Sequence, residues 1–125
     1  AANAVQPACY RAAMRRDGTD PDNVQMEDVL CDFCRSSWTL DCPFIEGHHG
    51  SCICGTCLTA AYRRVVLSKA SDAAPGYRCT MCLEERPDHC YQSPTHPEGL
   101  ICERCIKLAS GALVRDKESG WVRPG

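Results

Sequence analysis

Among the 125 residues, no stretch is long and apolar enough to span a membrane. A basic excess is also missing: 14 Lys and Arg stand against 16 Asp and Glu, for a formal charge of −2. That weakens a nucleic-acid reading without abolishing it, because a local basic face still binds phosphates. No Gly-x-x-x-x-Gly-Lys-Ser/Thr loop occurs, so these residues hold no P-loop ATPase. Ala1 to Tyr10 lack a basic start followed by an apolar run, so no secretory leader is expected and the reading is cytoplasmic.

What the chain has is cysteine, 12 in all. Eight of them form four Cys-x-x-Cys pairs: Cys31 and Cys34, Cys54 and Cys57, Cys79 and Cys82, Cys102 and Cys105. Within each half the two pairs are separated by 19 residues. Adding 48 to Cys31, Cys34, Cys42, His48, Ile53, Cys54, Cys57, Ala61 and Val66 gives Cys79, Cys82, Cys90, His96, Ile101, Cys102, Cys105, Ala109 and Val114. So many rare residues in register mark an internal duplication of a metal-binding unit.

Two cysteines three apart in a tight turn bring both sulfurs to one side of the backbone, filling two corners of a tetrahedron. A second pair closes the shell around Zn²⁺ with no position left for water, which is the pattern of structural rather than catalytic zinc. Two such sites imply two zinc ions per chain, ligated by Cys31, Cys34, Cys54 and Cys57, then by Cys79, Cys82, Cys102 and Cys105. A disulfide framework matches the cysteine density but not the paired short spacing. Iron in a rubredoxin-like site shares the tetrahedral sulfur chemistry, though nothing in the sequence suggests redox partners. Each zinc tetrathiolate exchanges four protons for one dication, so two sites take the chain from −2 to about −6.

The spacing divides the chain into an N-terminal extension (1–30), a first zinc unit (31–71), a second (76–119) and a tail (120–125). Pro7 to Arg16 reads as a short helix stopped by Asp17-Gly18, followed by a turn-rich linker from Thr19 to Asn23. Val24 to Leu30 suits a short strand or helical turn. In the first unit, 35–53 has the length of a hairpin or irregular loop. Cys54 then opens a helix, with Leu58, Ala61, Tyr62, Val65 and Val66 on one face. The second helix carries Ile106, Ala109, Leu113 and Val114 and runs to about Lys117. Ser71 to Gly76 links the units, and Trp121 to Gly125 has no evident role. Each unit is too short for an adequate apolar core, so each is expected to need its metal to fold. The fold class is therefore a small zinc-stabilised α+β protein. Knuckle, hairpin, then a helix bearing the second cysteine pair is the order of a treble-clef finger, here in tandem.

The motif Cys79-x-x-Cys82, a hairpin, then Gly99-Leu100-Ile101-Cys102-Glu103-Arg104-Cys105-Ile106 is similar to the N-terminal zinc-binding domain of the ClpX unfoldase. Cys31-Asp32-Phe33-Cys34-Arg35 with Ile53-Cys54-Gly55-Thr56-Cys57-Leu58 resembles it less closely. The resemblance implies a treble clef that dimerises and recruits adaptors and substrate proteins through apolar surface. Two units in one chain would then stand in for a homodimer as an intrachain pseudo-dimer, with further self-association an open alternative.

Among the remaining residues, Cys42, His48, Cys90 and His96 suit either buried thiols under the hairpins or a third, inter-unit metal site. The loose spacing within each unit favours the first. A RING-like cross-brace fails on the Cys42-to-His48 gap and would strand Cys102 and Cys105. His48 and His49 beside Cys52 lack an orienting partner on a Gly-rich hairpin, so no catalysis is expected. The leading expectation is a non-catalytic protein-interaction module with Trp38, Phe44 and Tyr91 as contact candidates. The alternative is nucleic-acid binding through Arg11, Arg15, Arg16, Arg63, Arg64 and Arg78.

Overall fold

The computed structural model describes residues 15, 17–20 and 22–125, with the side chains of Glu27 and His49 left aside. The helix expected from Pro7 lies outside the described residues, apart from Arg15. Thr19 and Asp20 lead into a turn, and Met26–Asp28 form one turn of 3-10 helix.

Each half then folds in the same order. In the first, Leu30 bridges Ser37 across the knuckle. Strand β1 (Phe44–Glu46) pairs with β2 (Cys52–Cys54), and α1 (Gly55–Ala61) follows directly. Helix α1 continues as a wider π turn over Tyr62–Leu67, where the Ser68 N–H reaches back to the Arg63 carbonyl at 2.9 Å. In the second half, β3 (Tyr77–Arg78) and β4 (Glu85–Arg86) flank the knuckle. Strands β5 (Cys90–Gln92) and β6 (Leu100–Cys102) pair antiparallel, and α2 (Glu103–Arg115) follows. Helix α2 stops at Arg115, slightly short of expectation. There the Asp116 backbone turns extended, and the Ser119 hydroxyl donates to the Leu113 carbonyl at 2.8 Å.

The knuckles are duplicates in backbone detail. Arg35 and Leu83, 48 apart, both sit in the left-handed region at φ 65° and 62°. This conformation is costly for a branched side chain and is held by the turn around it. The Cys31 and Cys79 N–H groups donate to Ser36 and Glu84 at 2.9 Å, again 48 apart.

The hairpins break that offset. Cys54 pairs with Phe44, whereas Cys102 pairs with Cys90. Likewise the N–H of Gly55 donates to Pro43, and that of Glu103 to His89. The first half therefore spends two more residues before its hairpin and two fewer in the hairpin loop. Cys90 corresponds in space to Phe44, not to Cys42. The sequence equivalence of Cys42 with Cys90 is a coincidence of these compensating changes.

The core belongs to both halves. Phe33, Ile53, Leu58, Ala61 and Val65 are buried, and so are Met81, Ile101, Ile106, Ala109 and Leu113, their counterparts at plus 48; all ten form one cluster. Val114, expected on this face, is 44% exposed, because the i, i+3, i+7 stripe through 106, 109 and 113 already faces the partner half. Helix α1 packs on α2 and on β5, and α2 packs on β1 in return.

The contacts between halves are reciprocal. The His48 N–H donates to the Met81 carbonyl at 2.8 Å, and the Ser93 hydroxyl donates to the carbonyl of Phe33, the counterpart of Met81. Each hairpin loop thus holds the other half's knuckle. Arg35 adds an ion pair to Glu98 at 2.7 Å across the same seam.

Close approach here demands glycine. A Cβ on Gly47 would lie 2.6 Å from the Met81 carbonyl oxygen, so Gly47→Ala is expected to lower stability by about 1–3 kcal/mol. Gly111 lies inside α2, where a Cβ would meet only the flexible end of Arg115 at 3.3 Å. Gly111→Ala should raise stability by about 0.5–1 kcal/mol. Denaturant unfolding of the two variants beside the parent checks both signs.

Candidate metal centres

Each cluster is built by a turn and a helix start. The knuckle supplies Cys31 and Cys34. The second pair comes from the end of β2 and the first turn of α1, with Cys54 as the helix N-cap in extended conformation (φ −83°, ψ 162°). Cys102 caps α2 with nearly the same angles, φ −78° and ψ 160°. The unsatisfied N–H groups and the positive dipole end of a helix N-terminus favour thiolates there.

The eight paired cysteines gather into two sets. In each, all four Sγ atoms lie within 4.8 Å of one another. Cys31 and Cys57 stand 3.9 Å apart, Cys34 and Cys54 3.7 Å, and Cys79 and Cys105 3.8 Å. A Zn–S bond of about 2.3 Å sets a tetrahedral sulfur–sulfur edge of about 3.8 Å, so the donor set fits zinc in both places. These distances are far beyond a disulfide bond of about 2.05 Å, and no described cysteine is bridged. Cys31 and Cys54 are buried, with Cys34 and Cys57 partly open; in the second set only Cys105 is partly open.

Backbone donors tune one sulfur in each set. The N–H groups of Phe33 and Cys54 point at Cys31 Sγ, both at 3.3 Å, and Cys102 N–H points at Cys79 Sγ at 3.4 Å. Thiol contacts from Cys54 and Cys57, reinforced by these amides, bring the Cys31 thiol down to about 4. Cys102 and Cys105 do the same for Cys79. Cys57 and Cys105, whose protons are shared with the neighbouring sulfurs, are pushed up. A divalent ion replaces those protons, so acidification, which restores them, releases metal. At the second set Arg104 is stabilised in its charged form, first by a hydrogen bond to Cys82 and then by Glu84. That places a cation beside a site whose filled form is an anion.

A side-chain acceptor braces each knuckle against its hairpin. Asp32, 5% exposed, accepts the Cys52 N–H at 2.7 Å, and burial raises its carboxyl to about 6. Thr80 does this work in the second half, where its hydroxyl takes the Leu100 N–H at 3.1 Å. The pair is spaced by 48 and was legible as a repeated position, but its mixed chemistry hid it.

Trp121 was also missed. Its indole N–H donates to the Gly55 carbonyl at 3.1 Å and to Thr59 Oγ1 at 2.9 Å, and its ring meets Tyr62 edge-on at 6.5 Å. A Cβ on Gly55 would come within 3.2 Å of that ring, so the tail is seated on the helix start that carries Cys57.

Cys42, His48, Cys90 and His96 do not assemble. Among the described residues, the two cysteine sets are the groups with metal-ligand distances. Cys90 is fully buried in β5, whereas Cys42 is half-buried and 3.8 Å from Thr56 Oγ1. Cys52 is buried and its thiol is raised to about 12, which leaves it a poor nucleophile. No helix is long and apolar enough to cross a membrane among the described residues.

Compared with known protein families, curated proteins and solved structures, the chain matches none of them. The likeness to the ClpX zinc-binding domain therefore rests on its cysteine spacing and flanking residues alone.

About two zinc ions per chain are expected by elemental analysis of the purified protein. Cys57→Ser and Cys105→Ser should each lose at least one ion and the cooperative unfolding transition, since both sites border one core. Asp32→Ala should cost about 1–3 kcal/mol by orphaning a buried N–H, while Asp32→Thr, which borrows the solution of the second half, should recover most of it. Thermal unfolding of the metal-loaded variants measures the difference.

Proposed function

We propose that this chain is a non-catalytic, zinc-stabilised protein-interaction module, a fused pair of treble-clef units resembling the ClpX zinc domain. The observation that carries the reading is the closure of both metal shells. Four cysteine sulfurs surround each site, so a bound zinc has no open position for water or substrate. The metal's part is structural, joining knuckle to helix.

The reciprocal contacts between the halves support the pseudo-dimer reading, because they supply within one chain what two copies supply in a homodimer. The disposition of charge also supports a protein partner over a phosphate backbone. Arg35, Arg64, Arg86 and Arg104 all lie against carboxylates, on Glu98, Asp72, Asp88 and Glu84. Of the arginines expected to form a basic footprint, Arg11 and Arg16 lie outside the described residues, Arg15 is half-buried beside Val29, and Arg64 is held by Asp72. Arg63 and Arg78 are exposed without a carboxylate partner among the described residues. Two scattered cations make a weak phosphate track.

Trp38, Phe44 and Tyr91 are all half-buried, and Phe44 and Tyr91 pack against the core. Leu40, Val122 and Leu108, 89%, 79% and 65% exposed, are the most open of the large apolar side chains among the described residues. Reduced cysteines in this number suit a reducing compartment such as the cytoplasm.

Fluorescence anisotropy with labelled single- and double-stranded DNA and RNA at low salt tests the choice. The proposal expects no saturable binding. Binding that falls steeply with salt and is lost on combined Arg63→Ala and Arg78→Ala substitution would give the function to nucleic acid instead.

A further inference from the structure

The two hairpins present the same outer edge, but among the described residues only one of them is covered. In β1–β2 the bonds Gly47 N–H to Ser51 and Gly55 N–H to Pro43 fix which pairs face inward. Ile45 then bonds to Ile53, and the N–H and C=O groups of Phe44 and Glu46 point away from β2. In β5–β6 the bonds Ser93 N–H to Gly99 and Glu103 N–H to His89 set the same alternation. Cys90 and Gln92 therefore turn outward in the positions of Phe44 and Glu46.

The linker between the halves satisfies the second edge. The Cys90 N–H donates to the Ser71 hydroxyl at 3.1 Å, and the Asp72 N–H donates to the Cys90 carbonyl at 2.9 Å. The Gln92 N–H donates to the Asp72 carboxylate at 2.9 Å. Two consecutive residues thus meet three backbone groups of β5. No described residue does this for Phe44 and Glu46. The stretch before the first knuckle brings Arg15, Met26 and Val29 alongside this edge, but these bonds are made within the stretch: the Asp20 carboxylate holds the Asp22 N–H, that of Asp28 holds the Gln25 N–H, and Arg15 bridges Val29.

Beside the open edge lies a cavity of about 280 Å³ lined by Met26, Val29, Trp38, Phe44, Glu46 and Cys52, among others. Tyr77 stands in the second half where Val29 stands in the first, with its hydroxyl on the Asp88 carbonyl at 2.8 Å. The smaller valine leaves room for an apolar side chain brought by whatever covers the edge.

We propose that the outer edge of β1 is a strand-addition site for an extended peptide segment of a partner protein. The segment carries a hydroxyl residue followed by an acidic one, as Ser71-Asp72 does, with an apolar side chain alongside. The site deepens the interaction-module reading and rests on it. Its complement is read from the chain itself, because the second half displays the same edge with its ligand attached. In that template one bond is main chain to main chain and two come from side chains, so the hydroxyl and carboxylate of the segment share the contact with its backbone, and the flanking pocket adds selectivity.

The test uses the metal-loaded full chain, labelled with ¹⁵N, and a capped peptide of the linker sequence Leu67 to Gly76. Saturable shifts are expected at the Phe44 and Glu46 amides, with those of Cys90 and Gln92 unmoved. N-methylation at the peptide's aspartate, which removes the donor to Phe44 C=O and leaves the protein untouched, should weaken binding by about tenfold or more.

Absence of saturable shifts at these amides overturns the site, as does equal binding of the methylated peptide. Slow hydrogen exchange of both amides in the free protein also overturns it, since residues 1–14 would then be the occupant. A parallel titration with RNA separates this failure from that of the broader reading. Shifts at Arg63 and Arg78 would strike the interaction module itself, whereas silence in both titrations strikes the strand-addition site alone.

Discussion

Four sulfur atoms about 3.8 Å apart make a site that the rest of the chain depends on. As thiolates alone they repel, and as thiols they hold the backbone only by weak hydrogen bonds. A tetrahedral dication turns the same four groups into a rigid joint between a knuckle and a helix start. Everything downstream of that joint is positioned by it. Each helix begins on a cysteine of one of these clusters, so the face it turns toward the core is fixed from its first turn. Leu58, Ala61 and Val65 in one half, and Ile106, Ala109 and Leu113 in the other, are thereby aimed at a common interior.

That interior explains why duplication matters. Neither half has enough apolar side chain to enclose a core, and each supplies five of the ten buried residues that do. The hairpin loops then lock the seam, with Met81 and Phe33 accepting bonds from the opposite half. The apolar stripe, the close approach at Gly47 and the Arg35–Glu98 pair all act on that one seam. The tail does comparable work on one side only, through Trp121 on α1.

Much of this was legible in the sequence, for a physical reason. Cysteine spacing reports metal geometry directly, and helical periodicity after Cys54 and Cys102 reports a buried face. Less visible was anything that depends on loop length. The gapless offset of 48 put Cys42 opposite Cys90, yet two compensating two-residue changes move Phe44 into that place. Val114 was assigned to the core because periodicity alone cannot tell the centre of a buried stripe from its rim. Asp32 and Thr80 do one job with different chemistry, so no repeat of residue type marks them. Trp121 finds its partners 62 and 66 residues away, beyond the reach of any local pattern.

Stepwise chelation followed by native mass spectrometry tests the central claim most directly, that two metal joints and one shared core form a single cooperative unit. Compact chains carrying two ions and expanded chains carrying none should interconvert, with little compact one-ion species between them. A well-populated, compact one-ion form, with half the helix signal kept, would mean that the halves fold independently and would contradict it.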